Sequence, residues 1–375
     1  MQDHMDSYQK FIALSRYSKF DYEKERRETW DETVFGRFKG YWRKKLPDMP
    51  EDVLNRICQA TYNLETMPSM RTLMAAGPAL ERDEAAAYNC SAAAVTATGP
   101  EIDLWDSKLT DLGIDEPIKI RLKHPKAFDE FLYILLVGTG AGFSVERQFI
   151  NELPTIGRKV DRSIYKPTKK NYPGVEKAEL STFDKKANKV IVADSKYGWA
   201  SALRIFVVEM YNGNFDAGYD TSAVRKAGAP LRTFGGRASG PQPLIDLFEF
   251  IRTVFRNADG RKLNSIECHD IMCKIGSVVV VGGVRRTALI SLSNLSDDRM
   301  RYAKSGEWWE TEPQRAYANN STAYTEKPEI GAFMREWQAL YESKSGERGI
   351  FNRVAAKKAC DAIGRDSNHE FVPNP

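Results

Sequence analysis

Apolar residues recur at helical spacing along most of the chain, and this pattern predicts the main elements. Short apolar runs at 278–281 and 287–292 predict two buried strands. Strands that alternate with helices indicate an α/β domain with mostly parallel strands. The helical spacing covers residues 14–46, 51–64, 128–137, 195–211, 243–256, 266–275 and 330–343.

A glycine-rich stretch, GTGAGFS at 138–144, follows the predicted helix 128–137. Its glycines allow backbone angles closed to other residues and let a ligand approach the main chain. We expect a loop here, followed by a strand at 145–147. The order helix, loop, strand is the reverse of a dinucleotide-binding fingerprint, which needs a strand before the loop and a helix after it. A Rossmann site is therefore excluded.

Two polar segments separate the predicted elements. Residues 155–190 are rich in Lys, Asp and Pro, and they predict a surface excursion with a hairpin around Asn188. Residues 228–241 combine glycines, prolines, hydroxyls and arginines in a way that ordinary loops seldom do. The basic residues 158–170 of the first segment are interpreted as a solvated loop, with contact to phosphates as the alternative, and the second segment is not a random loop.

Composition limits the class of protein. The chain has 375 residues, of which 42% are hydrophobic and 28% charged, as in ordinary globular proteins. Its net charge of +4 is too small to indicate a nucleic-acid partner. The polar first residues do not resemble a signal peptide, and no apolar run reaches membrane-spanning length. We expect a cytoplasmic protein without a membrane partner.

Five cysteines occur at spacings that match neither a disulfide framework nor a zinc site. Cys268 and Cys273 flank His269 closely, but nothing nearby supplies further ligands, so no metal site is predicted. Cys90 differs from the others because it is followed by Ser91 and three alanines. A structural cysteine in a core usually has bulky apolar neighbours, so small neighbours favour an approachable, reactive thiol.

Two further motifs leave alternatives open. Ser69, after Pro68, either holds a phosphate or sugar oxygen or caps a helix. The segment 282–286, GGVRR, lies between the two predicted strands. Arginines at a strand end suit phosphate or base-edge contacts, and the alternative is that they face solvent.

The chain resembles the class II, adenosylcobalamin-dependent ribonucleotide reductases, in particular the monomeric ribonucleoside-triphosphate reductases. The matching stretches keep the order of that family and span most of the chain. They are MPSMRTLMAAG (67–77), YNCS (88–91), FDEFLYILLVGTGAGFSVE (128–146), GAPLRTFGGRASGPQPL (228–244), ECHDIMCKIGSVVVVGGVRRTALISLS (267–293) and YESKSGERGIFNR (341–353).

The resemblance implies a fold and an activity. The fold is a ten-stranded α/β barrel of two antiparallel halves, of which 67–375 would form the first, after a helical region at 1–66. An insertion at about 155–225 would build an effector site for a deoxynucleotide. The activity is reduction of a ribonucleoside triphosphate, or diphosphate, by a thiyl radical generated with adenosylcobalamin. A cysteine pair reduces the ribose, and thioredoxin or a similar dithiol restores it.

The resemblance also assigns roles to particular residues. Cys90 corresponds to one member of the reducing pair. Positions that contact the substrate correspond to Ser69, Ser91, Gly142, Phe143 and Asn374. The loop that couples the effector site to the choice of base corresponds to Gly282, Gly283, Val284, Arg285 and Arg286.

The family motif Asn-Pro-Cys-x-Glu carries the radical cysteine, and this sequence ends at its Asn-Pro, residues 374–375. We expect a complementary C-terminal half, encoded by a split gene or after an intein, to carry that cysteine, the partner of Cys90 and most of the cobalamin site. The chain alone is then expected to be inactive. The alternatives are a nucleotide-binding regulatory module without catalysis and a class I type large subunit. The GGVRR segment and the long insertion argue against the second.

Overall fold

The computed structural model describes residues 5–97, 101–104, 118–121, 124–158, 160, 162, 175–231, 236–281, 284–285 and 288–367. The chain forms two compact units. Unit 1 consists of Met1–Asn89 and Gly228–Ala238, and unit 2 consists of Cys90–Ala227 and Ser239–Pro375.

Unit 1 is mainly helical and has its own apolar core, which includes Trp30, Val34, Leu54 and Leu73. Two π-helical segments, Ala13–Tyr17 and Glu32–Phe38, and one 3₁₀ turn, Glu84–Ala87, extend its helices. Its remaining elements are α1 (Ser7–Ile12), β1 (Phe20–Asp21), β2 (Arg26–Arg27), α2 (Lys39–Lys45), α3 (Glu51–Tyr62), α4 (Met70–Ala75) and α5 (Pro78–Arg82).

The prediction of one continuous helix over 14–46 is wrong in its middle, because β1 and β2 form an antiparallel hairpin there. The Asp21 carboxylate accepts hydrogen bonds from the backbone N–H groups of Glu23 and Lys24, at 3.0 and 3.2 Å. Such local bonds compete with a helix. Glu25 has a φ of 52°, in the left-handed region, which also stops the helix. The predicted helix at 51–64 is confirmed as α3.

Unit 2 contains most of the strands. Short 3₁₀ turns at Lys177–Glu179 and Pro313–Tyr317 lie between its elements. In chain order these are β3 (Cys90–Ala94), β4 (Glu101–Leu104), β5 (Ile118–Arg121), α6 (Ala127–Leu136), β6 (Gly140–Ser144), α7 (Arg147–Ile150), β7 (Thr182–Asp184), β8 (Lys189–Ile191), α8 (Lys196–Tyr211), β9 (Gly218–Asp220), α9 (Gln242–Asn257), α10 (Ser265–Val278), β10 (Val280–Val281), β11 (Val284–Arg285), β12 (Leu289–Asn294), α11 (Asp298–Arg301), α12 (Trp308–Thr311), β13 (Ala318–Tyr324), α13 (Ile330–Ser343), β14 (Gly349–Asn352) and α14 (Arg353–Ala362).

The central feature of unit 2 is a five-stranded sheet in the order β14-β13-β12-β6-β3, with every neighbouring pair parallel. Parallel strands need crossover connections, and helices α6, α10 and α13 lie in these connections along the chain. The predicted fold class is confirmed: an α/β fold with a helical region and a sheet that provides the first half of a ten-stranded barrel.

Helix α8 is buried on nearly all sides, which the spacing of its apolar residues does not predict. Its N-cap residue Ser195 accepts a hydrogen bond from the N–H of Gly198 at 2.8 Å, which fixes the helix start near the predicted position. The predicted amphipathic character is wrong, since almost every residue of α8 is buried. Its one buried arginine, Arg204, is neutralised by Asp129 of α6 at 2.5 Å. The helix is therefore the centre of a core rather than a surface element.

Two predictions around the strands need correction. The glycine-rich stretch is largely strand β6, because its backbone bonds to β3 on one side and β12 on the other. The strand predicted at 145–147 is wrong, since β6 ends at Ser144 and helix α7 begins at Arg147. The strand predicted at 278–281 is confirmed only at Val280 and Val281, which form β10, because α10 continues to Val278.

Other predicted elements agree with the structure. The hairpin around Asn188 is confirmed, with β7 antiparallel to β8 and Asn188 at a φ of 48°. Helices α6, α9, α10 and α13 lie where the apolar spacing placed them. Among the described residues, no helix is both long enough and apolar enough to cross a membrane.

Candidate functional site

The parallel sheet of unit 2 has two different faces. One row of residues in register, Ala93, Phe143, Ser291 and Asn320, lies on the face covered by helices, and the last three of these are buried. The next row, Ala92, Gly142, Ile290 and Asn319, points to the opposite side because side chains alternate along a strand. Ala92 and Asn319 are exposed and Ile290 is half-buried, whereas Gly142 is buried.

We call this second side the open face and define it by Cys90, Ala92, Gly142, Ile290 and Asn319. Cys90 is the first residue of β3 and lies opposite Gly140 of β6. Its side chain is half-buried, and all five cysteines of the chain are thiols rather than parts of disulfides. The partner residue Gly140 has no side chain, and Ala92 has only a methyl group. The thiol therefore lies on a surface that a ligand can approach.

Of the three predicted site residues Ser91, Gly142 and Phe143, the first and last do not direct their side chains to the open face. The Phe143 ring is fully buried on the covered face, 5.5 Å from the Phe131 ring and 5.8 Å from the His269 ring. The Ser91 hydroxyl donates to the carbonyl oxygen of Gly140 at 3.4 Å. Gly142 alone of these three belongs to the open face, so Phe143 can meet a ligand there only through its main chain.

A buried polar chain runs beneath the covered face. His269 Nδ1 lies 3.0 Å from Ser291 Oγ, and His269 Nε2 lies 3.4 Å from Cys273 Sγ. Burial, together with the charges of Arg315 and Lys304, lowers the pKa of His269 from 6.5 to about 3. A neutral imidazole can donate at one nitrogen and accept at the other. The contacts of His269 with Ser291 and Cys273 therefore connect α10 to β12 without a buried charge.

The carboxyl end of β6 is held by a buried ion pair. Arg353, the first residue of α14, contacts the Glu146 carboxylate with two N–H groups, at 3.0 and 2.6 Å. Ser144 Oγ donates to the same carboxylate at 2.7 Å. Burial raises the pKa of Glu146, but these hydrogen bonds outweigh it and leave the pKa below its usual 4.5. The pair fixes the end of the strand that carries Gly142.

The sequence did not indicate this pair. The apolar pattern predicts a strand at 145–147, and Arg353 is only the last residue of the family-like motif 341–353. The one available signal is that a charged residue directly follows the apolar run of β6, where a buried carboxylate needs a partner.

Ser69 belongs to unit 1, where it is the N-cap residue of α4 and is exposed. Its side chain makes no capping hydrogen bond, whereas its carbonyl oxygen accepts one from the Thr72 hydroxyl at 2.7 Å. Of the two readings of Ser69, the helix cap is therefore not supported by the geometry. Ligand contact remains a prediction.

Several predicted site residues lie outside the described part of the chain. These are Gly282, Gly283, Arg286 and Asn374. The backbone of Val284 and Arg285 is described and forms β11, which pairs antiparallel with β10. The two described residues of the predicted specificity loop therefore lie in a short hairpin that follows α10.

The remaining cysteines are all in helices. Cys58 lies in α3, Cys268 and Cys273 in α10, and Cys360 in α14. Burial raises the pKa values of Cys268 and Cys273 strongly, which keeps both thiols protonated and inert. Within the residues that the structure describes, no group of three or more metal-ligating side chains comes together.

A thiol on the open face of a half-barrel of parallel strands is an arrangement suited to an α/β-barrel enzyme that uses a cysteine. Comparisons with known proteins show what the chain is similar to. A family model described as the insertion domain of B12-dependent ribonucleotide reductase matches residues 165–255. This segment overlaps the insertion predicted at about 155–225.

Curated relatives and a solved structure agree with this match. An adenosylcobalamin-dependent ribonucleoside-triphosphate reductase of Lactobacillus helveticus is 30% identical over 83% of this chain and 44% of its own length. The reductase of the same name from Lactobacillus leichmannii is 29% identical over 91% of this chain and 48% of its own. A crystal structure of a B12-dependent (class II) ribonucleotide reductase is similar with a TM-score of 0.65 and 25% identity, over 91% of this chain and 48% of that one.

The chain is thus similar over most of its length to the class II, B12-dependent ribonucleotide reductases, the family that its motifs resemble. It spans about half the length of the curated relatives that it matches.

Proposed function

We propose that this chain supplies the thiol Cys90 and the first half-barrel of an adenosylcobalamin-dependent ribonucleoside-triphosphate reductase. The observation that carries the proposal is the position of Cys90, at the start of β3 on the open face, opposite a glycine. The similarity to reductases of this name over nearly the whole chain supports it.

In this reaction Cys90 acts as one of two thiols that reduce C2′ of the ribose. The 2′ hydroxyl leaves as water, the two thiols supply two electrons and two protons, and they become a disulfide. Thioredoxin or a similar dithiol then reduces the disulfide. The small residues around Cys90 suit this role, since both a ribose and an attacking dithiol must reach its sulfur.

The open face favours holding the sugar by main-chain groups and small residues. Gly142 lies on the same face as Cys90, two positions beyond Gly140, the residue opposite Cys90. Ser91 and Phe143 contribute through their backbones because their side chains do not point to the open face. Ser69 and Asn374 are proposed as further contacts to substrate hydroxyls. Triphosphates are proposed as substrates because the named relatives are triphosphate reductases.

Adenosylcobalamin supplies the radical that starts such a reaction. The described residues of the open face are one thiol, small residues, Ile290 and Asn319, and they offer few hydrogen-bonding side chains for the many amide groups of a cobalamin. They therefore do not fit a cobalamin site by themselves. We assign the cobalamin contacts to the remaining half of the reductase, and we derive no step through them from this chain.

We also propose that a deoxynucleotide effector binds through the insertion and changes the choice of substrate base. The match of residues 165–255 to the insertion-domain model supports this assignment. Segment 282–286 would pass the effect to the substrate, since it directly follows α10 and precedes β12, a strand of the open face.

The test is a Cys90→Ser variant in the reductase assembled from this chain and the remaining half. Without added dithiol, the unchanged enzyme should form deoxynucleotide and lose two thiols for each product molecule. Cys90→Ser should form no reduced product and lose no thiols. Cys360→Ser is the matched control, because Cys360 is also a half-buried thiol but lies on α14. Normal product formation by Cys90→Ser would refute the proposed role of Cys90.

A further inference from the structure

Helix α4 of unit 1, which begins directly after Ser69, has an exposed start and a buried end. Ser69 is exposed, whereas Leu73, Ala75 and Ala76 are buried. The helix has six residues, and helices shorter than about 12 residues are not stable on their own. Contacts with the rest of unit 1 must therefore hold α4. Those contacts decide where Ser69 is presented.

The end of α4 is held by the guanidinium of Arg37. Its Nη1 donates to the carbonyl oxygens of Leu73 at 2.8 Å and of Met74 and Ala76 at 3.2 Å. The last carbonyl groups of a helix have no partners inside that helix, and an arginine can satisfy them. Arg37 therefore caps α4 from a different part of the chain.

Arg37 is itself fixed from the other side. The Glu28 carboxylate accepts hydrogen bonds from Arg37 Nε and Nη2, each at 2.9 Å, and the carbonyl oxygen of Tyr17 accepts one from Nη2 at 2.9 Å. The Arg37 and Glu28 side chains are only 9% and 16% exposed, so salt screens their attraction weakly. Glu28 directly follows β2, so the hairpin that interrupts the predicted helix supplies this carboxylate.

The backbone after α4 leaves room for the arginine. Gly77 has a φ of +88°, in the left-handed region, and a Cβ at this position would lie 3.2 Å from Arg37 Cγ. Arg37 belongs to the π-helical segment Glu32–Phe38, and such segments are rare and frequently accompany functional sites. We call Glu28, Arg37 and Gly77 the α4 clasp.

We propose that Arg37 is a positioning residue for substrate binding: by fixing the end of α4, it holds Ser69 where its hydroxyl contacts the substrate. The inference rests on the contact of Ser69 in the proposed function. The Ser69 side chain makes no capping hydrogen bond to α4. A hydrogen bond weakens steeply when its geometry is lost, so a small movement of α4 is enough to weaken the contact. The alternative is that the clasp only stabilises unit 1.

The test compares Arg37→Lys with Arg43→Lys in the assembled reductase. Lysine keeps a charge beside Glu28 but has one nitrogen, which cannot replace the planar fork that joins the carboxylate to three carbonyl oxygens. Arg43 is the matched control in unit 1. It donates to the carbonyl oxygen of Met49 at 2.8 Å and pairs with Glu51, and both partners lie outside α4.

The expected effect is on binding rather than on the chemical step. Arg37→Lys should raise the KM for a ribonucleoside triphosphate by about three- to tenfold, the range for one lost hydrogen bond, and change kcat less than about twofold. Arg43→Lys should change both constants less than about twofold. An unchanged KM in Arg37→Lys, or an equal rise in Arg43→Lys, would overturn the inference.

A double-variant cycle shows whether Arg37 acts through Ser69. Ser69→Ala alone should raise KM by about three- to tenfold, because it removes the hydroxyl. In the Ser69→Ala background, Arg37→Lys should add less than about twofold, since the contact that it would weaken is already gone. Rises that multiply in the double variant would show that the two residues act independently, and the inference would fail.

Hydrogen exchange of the chain checks folding in the same variants. Arg37→Lys should speed exchange in peptides that cover 70–78 and leave α3 as in the unchanged chain. Glu28→Gln is a second, milder perturbation, because it keeps the shape of the side chain and removes its charge. It should raise KM in the same direction. If Glu28→Gln speeds exchange equally in α3 and in 70–78 without raising KM, the clasp is only structural and the inference fails.

The outcomes separate this inference from the proposed function. If Ser69→Ala raises KM but Arg37→Lys and Glu28→Gln do not, the inference alone fails. If Ser69→Ala leaves KM unchanged, the proposed contact of Ser69 is wrong and the inference fails with it. The role of Cys90 is judged by its own variant and is unaffected by either result.

Discussion

The ion pair between Glu146 and Arg353 is the clearest place to test how the end of β6 is held. The two side chains are 1% and 4% exposed, and they join residues 207 positions apart in the sequence. Arg353→Met keeps the length and the apolar stem of the side chain but removes its charge. The Glu146 carboxylate then stays buried with Ser144 and Gln148 as its remaining donors.

Arg353→Met should lower the free energy of unfolding by a large amount. Removing one partner of a buried ion pair typically costs about 3–5 kcal/mol, since the other charge is left uncompensated. This corresponds to a folding equilibrium that is weaker by roughly 10²- to 10³-fold or more. Glu146→Gln combined with Arg353→Met removes both charges and should recover most of the loss, because neither buried charge remains.

The effect of pH on the contribution of Glu146 to stability should have opposite signs in the unchanged protein and in Arg353→Met. In the unchanged protein the pKa of Glu146 lies below 4.5, so its contribution to stability is full above about pH 4.5 and is lost as the pH falls through the lowered value. In Arg353→Met, burial dominates and raises this pKa above 4.5. The penalty then shrinks as the pH falls from 7 towards 4.5, because protonation removes the buried charge.

Hydrogen exchange of peptides from β6 and α14, followed in urea, gives a local readout. It is preferable to a single global transition, because the chain has two compact units. Faster exchange in both peptides is expected for Arg353→Met at pH 7, with a smaller difference at pH 5. Unchanged exchange at pH 7, or a loss of equal size at both pH values, would refute the assignment of a buried, charged Glu146.

Two further predictions concern the covered face. Burial lowers the pKa of His269 to about 3, so its contribution to stability is full above pH 6.5 and is lost at about 1.4 kcal/mol per pH unit as the pH falls below that value. In urea unfolding between pH 7 and pH 5, the free energy of unfolding of His269→Gln should not show this loss. The same dependence of unfolding free energy on pH in the variant and the unchanged protein would contradict the prediction. Phe143→Leu should lower stability by about 1–2 kcal/mol in thermal unfolding, because the ring is packed in the core. In the assembled reductase it should leave the KM for the nucleotide within about twofold, since the ring lies away from the open face. A large rise in KM without loss of stability would show that the ring touches the substrate.

The sequence predicted helices better than strands, for a physical reason. Helices α6, α9, α10 and α13 show apolar residues at helical spacing, which depends on one element at a time. Strand β13 reads ANNSTAY and β3 reads CSAAA, and neither has the β-branched or aromatic run that marks a strand. Their pairing comes from neighbours far along the chain. No local pattern contains that information.

Polar residues inside the sheet illustrate the same limit. Ser293 and Thr322 are fully buried side by side on β12 and β13, where each hydroxyl lies about 3.5 Å from a carbonyl oxygen of the other strand. In isolation such residues predict a loop. They tolerate burial only because the parallel pairing brings acceptors to them. Cys90 could be singled out from its small neighbours, whereas the partners of Glu146 and His269 could not.

The small residues of β3 and β6 serve two different purposes on the two faces of the sheet, although in the sequence they form one run. On the covered face, Ala93 and Ala141 leave room for the ring of Phe143 and the helices behind it. On the open face, Ala92, Gly140 and Gly142 leave room for whatever approaches Cys90. Alternation along the strand assigns each position to one cause or the other. The identity of residues 91, 93, 141 and 143 is then a matter of stability, and only 90, 92, 140 and 142 can shape a ligand site with their side chains or the lack of them.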